Sequence, residues 1–133
     1  MISAVDTSLI IDVITADPTH GPSSRELLRR ALDEGALVIC EVVYAEIAPQ
    51  FASQEELDGI LQKLGIQLVN GGDAVAYLAG RKWAEYRRAG GTRARLLADF
   101  LIAAHAKVHA ERLLTRDRGF YRQYFSDLTL LER

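Results

Sequence analysis

ISAVDTSLII, residues 2–11, decides how the rest of the chain is read. The opening ISAV is short, apolar and partly β-branched, as a buried strand is, and Asp-Thr-Ser follows at once in the manner of a helix start. The stretch predicts a strand over 2–5 and a helix from about Ser8 to Thr15. Asp6 stands between the two, alone among apolar neighbours. A carboxylate carried into such surroundings costs on the order of several kcal/mol unless something cationic meets it.

Outward from there the same alternation repeats. Asp17-Pro18 and Gly21-Pro22 mark a loop, and SSRELLRRALDEG (23–35) has Ser caps, apolar spacing and a closing Gly, which predicts a second helix. ALVIC (36–40) reads as a central strand, and EVVYAEIAPQF (41–51) as a helix that Pro49 helps to end. Gln54 to Leu64 is amphipathic and closes at Gly65, IQLV (66–69) is a third strand, and a long helix runs from Asp73 to about Arg88 before Gly90-Gly91. LLADFLIAAHAKVHA (96–110) is helical, RLLT (112–115) a fourth strand, 118–125 a short helix and LTLL (128–131) a last strand. No two strands are joined by a hairpin turn, so crossovers are expected. The expected fold is α/β, a three-layer sandwich with a mostly parallel central sheet flanked by helices, in one domain over 1–133.

Three further acids repeat the placement of Asp6: Glu46 in VVYAEIA, Asp99 in LLADFLIAA and Asp117 just after RLLT. In an open parallel sheet the binding crevice lies outside the carboxyl ends of the strands, where Asp6 and Asp117 fall. Those segments hold no matching Lys or Arg among their apolar residues, which points to a shared divalent cation. Oxygen ligands favour Mg²⁺ or Mn²⁺. Four carboxylates at close range would raise one another's pKa values without such a cation. Each has an ordinary alternative: Asp6 or Asp117 as a helix N-cap, Glu46 or Asp99 pointing outward into water. Thr7, Ser8 and Thr115 could hold a metal-bound water or a phosphate oxygen, though capping is the commoner job of such hydroxyls. Asp12, six residues past Asp6, reads as solvated, and Glu41 as the residue that opens its helix. His105 and His109 share a helix face at i, i+4, yet no third ligand accompanies them.

Composition bounds the function. The chain has 133 residues, 49% hydrophobic and 26% charged, which suits a folded soluble protein. Cys40 is the only cysteine, so neither an internal disulfide nor a thiolate zinc site is available, and a reducing compartment fits. No signal-peptide pattern and no apolar run of about 18 residues occurs, so a cytoplasmic protein without membrane contact is expected. Charge is uneven: residues 1–80 carry 12 acids against 4 bases, and residues 81–133 carry 6 against 12. Arg81, Lys82, Arg87, Arg88, Arg93 and Arg95 form a basic run that reads either as a phosphate-facing edge or as a solvated helix face.

The segments VDTSLIID (5–12), YAEI (44–47), DFLIAAHA (99–106) and LLTRDRGFYRQYF (113–125), in that order, resemble a PIN domain of the VapC toxin branch of VapBC toxin–antitoxin systems. The similarity runs from about Ile2 to Leu131. The resemblance implies a Mg²⁺- or Mn²⁺-dependent endoribonuclease that leaves 5′-phosphate and 3′-hydroxyl ends. Asp6, Glu46, Asp99 and Asp117 match the family's acids, with Asp6, Asp99 and Asp117 as metal ligands, Glu46 as a ligand or water-orienting base, and Thr115 at a frequent hydroxyl position. Arg93, Arg95, Arg116 and Arg118 are candidates to hold RNA. The resemblance also implies a homodimer and a VapB-type antitoxin. The basic lead into Asp99, residues 88–98, is less generic.

Two other classes fit the residues less well. A non-catalytic nucleic-acid-binding or scaffolding relative would be expected to lack one of the four acids. A phosphatase of the haloacid-dehalogenase type needs a second acid two residues after Asp6, and Ser8 stands there.

Overall fold

A computed structural model describes residues 1–92 and 97–131, with the side chain of Arg118 outside that description. Five strands, β1 (Ile2–Val5), β2 (Ala36–Ile39), β3 (Ile66–Leu68), β4 (Arg112–Leu114) and β5 (Leu130–Leu131), form one sheet in the order β3-β2-β1-β4-β5. Every pairing is parallel; β1 is central, with Ala4 opposite Val38 on one side and Leu113 on the other. Buried on both faces, such strands must be apolar throughout, which is why ISAV and ALVI read as continuous runs rather than alternating ones.

The helices are α1 (Thr7–Ile14), α2 (Gly21–Glu34), α3 (Glu41–Ile47), α4 (Gln54–Leu64), α5 (Asp73–Arg88), α6 (Leu97–His109) and α7 (Arg118–Tyr124), with a 3-10 turn over Ala48–Gln50 after α3. From β1 the chain steps outward to β2 and β3, then returns across β1 to β4 and β5. Right-handed crossovers that reverse direction put their helices on opposite faces of the sheet. Accordingly α1 packs on α2 and α3, whereas α5 packs on α6. This is the three-layer arrangement expected from the sequence. Among the described residues no helix is long and apolar enough to cross a membrane.

Two boundaries differ from the sequence expectation or depend on glycine. Gly21-Pro22, expected as loop, opens α2 instead; proline is tolerated in a first helical turn, where its missing N–H would have no partner. Gly35 joins α2 to β2 beside the chain's start, and a Cβ there would lie 1.7 Å from the Met1 carbonyl oxygen. At the amino ends of the strands, the buried Arg112 donates to Ser3 Oγ (2.7 Å) and to Glu34 Oε1 (3.1 Å), so this charge is satisfied far from the carboxyl ends.

On the α5–α6–α7 side the core is aromatic. Phe100 packs against Tyr86 (5.4 Å between centroids) and edge-on to Phe120 (5.2 Å), and Tyr124 meets Tyr86 at 5.1 Å. Such rings bury large areas in preferred tilted geometries. Two of these rings are next in sequence to a residue of the site: Phe100 to Asp99, and Phe120 to Tyr121.

Candidate active site

The sheet order reverses at β1, and the crevice between β1 and β4 at their carboxyl ends is the topological switch point where open α/β sheets bind ligands. Asp6 follows β1 and caps α1, with extended backbone and Oδ1 accepting from the Thr7 N–H at 2.8 Å. The capping alternative is therefore real, but it uses only one oxygen. Oδ2 turns to β4 and α7, accepting from Thr115 Oγ1 at 2.7 Å and from the Tyr121 hydroxyl at 3.3 Å.

Asp6 is only 8% exposed. Burial raises its carboxyl above the ordinary value of 3.8, and the charge of Asp99 adds to the rise, while the donors Thr115, Thr7 and Tyr121 oppose it. Thr115 also accepts from the Asp117 N–H at 3.0 Å, so a single buried hydroxyl ties the two strand-end acids together. Glu46 joins from α3 through Thr7, whose hydroxyl donates to Glu46 Oε1 at 2.6 Å. Unlike Asp6, Glu46 is exposed, and Asp99 and Asp117 are half-buried. The site is thus one buried carboxylate at the floor with three acids around its mouth, rather than four acids sunk in the core.

Tyr121 was not among the residues the sequence singled out. It is 1% exposed, and its phenol is pushed well above its usual value of 10.0 by burial first, then by the charges of Asp6 and Asp99, a hydrogen bond to Asp6, and the charge of Asp117. The phenol stays protonated and acts as a donor, placed where the fields of three carboxylates meet. The available signal was its spacing: Tyr121 is four residues past Asp117, on the same side of a helix that starts at a strand end.

Ser8 Oγ, on the first turn of α1, is buried and the only such side-chain atom among the described residues without a hydrogen-bond partner. It does not cap the helix. Among the described residues no three His, Cys, Asp or Glu side chains meet closely enough to form a finished metal cage. The donors nevertheless fit Mg²⁺ or Mn²⁺: all are hard oxygens, and Mg²⁺ commonly takes one or two carboxylates and keeps several waters. Asp6, Asp99 and Asp117 are the residues that would hold it.

Asp12 corrects the expectation of a solvated acid. It is 3% exposed and accepts from Ser24 Oγ (2.7 Å), Arg116 Nε (2.9 Å) and Arg116 Nη2 (3.0 Å). Arg116, a candidate RNA contact, is thus ion-paired with Asp12 while its side chain stays 32% exposed. Arg93, Arg95 and the Arg118 side chain lie outside the described residues. Arg87 stacks over Trp83, 5.1 Å from its ring centre. His105 and His109 are no metal pair: their Nε2 atoms donate to the carbonyls of Val69 (2.7 Å) and Gly71 (2.8 Å), while both Glu41 oxygens accept from the Gly71 N–H at 3.1 Å. Together they pin the loop between β3 and α5. A hollow of about 490 Å³ lined by Tyr44, Asp58 and Gln67, among others, is bordered by none of the four acids.

A reversing parallel sheet with carboxylates at its switch point defines an open α/β protein with an acidic crevice at that edge. The PIN domain family model matches residues 4–126, and the chain belongs to that family. The fold is similar to that of solved VapBC toxin–antitoxin complexes: VapBC2 from Rickettsia felis bound to a fragment of promoter DNA (TM-score 0.74, 20% identity, 98% of each chain covered) and VapBC-1 from nontypeable Haemophilus influenzae (0.74, 22%, 99% of this chain and 98% of that one). FitAcB from Neisseria gonorrhoeae is similar at a TM-score of 0.64 and 20% identity, covering 99% of this chain and 97% of that one. No curated protein matches the chain in sequence.

Proposed function

We propose that this chain is a Mg²⁺- or Mn²⁺-dependent endoribonuclease and the toxin of a type II toxin–antitoxin module. The observation that carries the reading is the linked set Glu46–Thr7–Asp6–Thr115–Asp117, closed by Tyr121, at the sheet's switch point. A divalent cation bound there would supply charge to phosphate oxygens and acidify a water. The protein's own part is placement. Thr115 and Tyr121 fix one oxygen of Asp6, which leaves Oδ1, with its single backbone donor, as the oxygen facing the ligand. Glu46, exposed and oriented by the Thr7 hydroxyl, is placed to accept a proton from the attacking water. Hydrolysis of the phosphodiester leaves 5′-phosphate and 3′-hydroxyl ends.

The partners follow the family: a VapB-type antitoxin, a second copy of the chain, and RNA as substrate. An acidic cluster beside a half-chain rich in Arg and Lys suits a substrate whose phosphates need both a metal and counter-charge. The test is RNA cleavage by purified, antitoxin-free protein with and without Mg²⁺ or Mn²⁺, beside Asp6→Asn and Asp99→Asn, with product ends identified. Metal-dependent products ending in 3′-hydroxyl and lost in both variants are expected. Folded, metal-replete protein that cuts no RNA would instead favour a non-catalytic binding module, and 2′,3′-cyclic phosphate ends would refute the hydrolytic reading.

A further inference from the structure

We propose that Asp12 is a positioning residue that sequesters the Arg116 guanidinium, keeping a fixed positive charge out of the carboxylate cluster whose members flank it. This inference rests on the proposed metal site.

Arg116 occupies the turn between Thr115, which bonds Asp6, and Asp117. A guanidinium loose at that point would compete with a metal ion, because two parallel N–H donors match a carboxylate's two oxygens. Asp12 satisfies that preference first. It meets Nε and Nη2 with one oxygen each, at 2.9 and 3.0 Å. The acceptor cannot follow the guanidinium elsewhere, since Ser24 on α2 holds Asp12 Oδ2 at 2.7 Å. Asp12 lies six residues beyond Asp6 on α1, about 9 Å farther along the axis, so the pair draws the charge toward the far end of that helix. Asp12 is the buried member, 4% exposed against 32% for the Arg116 side chain, so the carboxylate is fixed within the fold and the guanidinium is drawn to it. Asp17, at the loop after α1 and away from the strand ends, also senses Arg116: the guanidinium's charge helps to lower its carboxyl.

The test is Mn²⁺ titrated into the full chain, with free ion read by electron paramagnetic resonance, for wild type, Asp12→Asn, Arg116→Ala and the double variant, each checked for folding by circular dichroism. In Asp12→Asn the released charge is expected to raise the half-saturating Mn²⁺ concentration about tenfold. Arg116→Ala alone should stay within about twofold of wild type, and adding it to Asp12→Asn should restore binding, a coupling with a sign that loss of structure does not produce. Unchanged binding in Asp12→Asn, or a double variant as weak as Asp12→Asn, overturns the proposal. If Asp12→Asn does not fold, Arg116→Ala still decides, because weakened binding in that variant would mean the pair merely braces the turn. Wild type that binds no Mn²⁺ would remove the proposed metal site and this inference together, an outcome distinct from the others.

Discussion

Replacing Thr115 by Val keeps the side chain's shape and removes one hydroxyl. That hydroxyl donates to Asp6 Oδ2 at 2.7 Å and accepts from the Asp117 N–H at 3.0 Å, in a position only 2% exposed. A hydrogen bond to an ionised, buried carboxylate contributes about 1.5–3 kcal/mol and a neutral one about 1 kcal/mol. The methyl that takes its place returns about 0.8 kcal/mol of apolar burial. Tyr121 still donates to Oδ2, so the carboxylate is not abandoned. The expected loss is about 2–3 kcal/mol at neutral pH. Thr115 is among the groups that lower the raised Asp6 carboxyl, so its removal lifts that group further. The loss is therefore largest where Asp6 is ionised and shrinks as acid protonates it in wild type and variant alike. Urea unfolding of metal-free protein between about pH 3 and about pH 7 reads both quantities. A loss below about 0.5 kcal/mol, or one that does not change with pH, would refute the strap between the two strand ends.

Asp6→Asn should separate stability from function: the folded Asp6 carboxyl is raised, mainly by burial, so its contribution is present below the unfolded value of 3.8 and lost as pH rises through the folded one. The metal-free variant should consequently melt higher than wild type near neutral pH, and Mg²⁺ should no longer stabilise it; a lower melting temperature would contradict the buried-anion account. His105 shifts the other way, held below 6.5 chiefly by burial, with the His109 charge also lowering it and the Val69 carbonyl and Glu41 opposing. Its contribution is present above the unfolded value and lost as pH falls through the folded one, so His105→Gln, which can still donate to Val69, should flatten the acid side of the stability profile. An unaltered slope in chemical denaturation would exclude His105 as its source.

The strands and helices were legible because each apolar run has one length and one set of punctuation. Gly21-Pro22 misled only because the same dipeptide that breaks a helix inside it is allowed to start one. The acids were legible as isolated charges, but their depth was not. Val43 and Ile47 turn the inward face of α3, and Glu46, about 100° round from Ile47, faces out although its sequence neighbours are apolar. Asp12 looked solvated because its partners are remote: Ser24 is 12 residues away and Arg116 is 104. Tyr121 was hidden for the same reason, since a tyrosine beside phenylalanines announces a core ring and only the assembled sheet brings its hydroxyl to Asp6.

The central strand precedes its four sheet partners in sequence. Residues 2–5 lie between β2 and β4, and the hydroxyl that braces Asp6 arrives 109 residues later. Until the ribosome has made β4 and α7, Asp6 has neither Thr115 nor Tyr121, and the second flank of its strand does not yet exist. Contacts so far apart in sequence make closure slow and late. A polypeptide interrupted before β4 therefore carries three of the four acids and no assembled centre, so the acids come together only once β4 and α7 have joined the sheet.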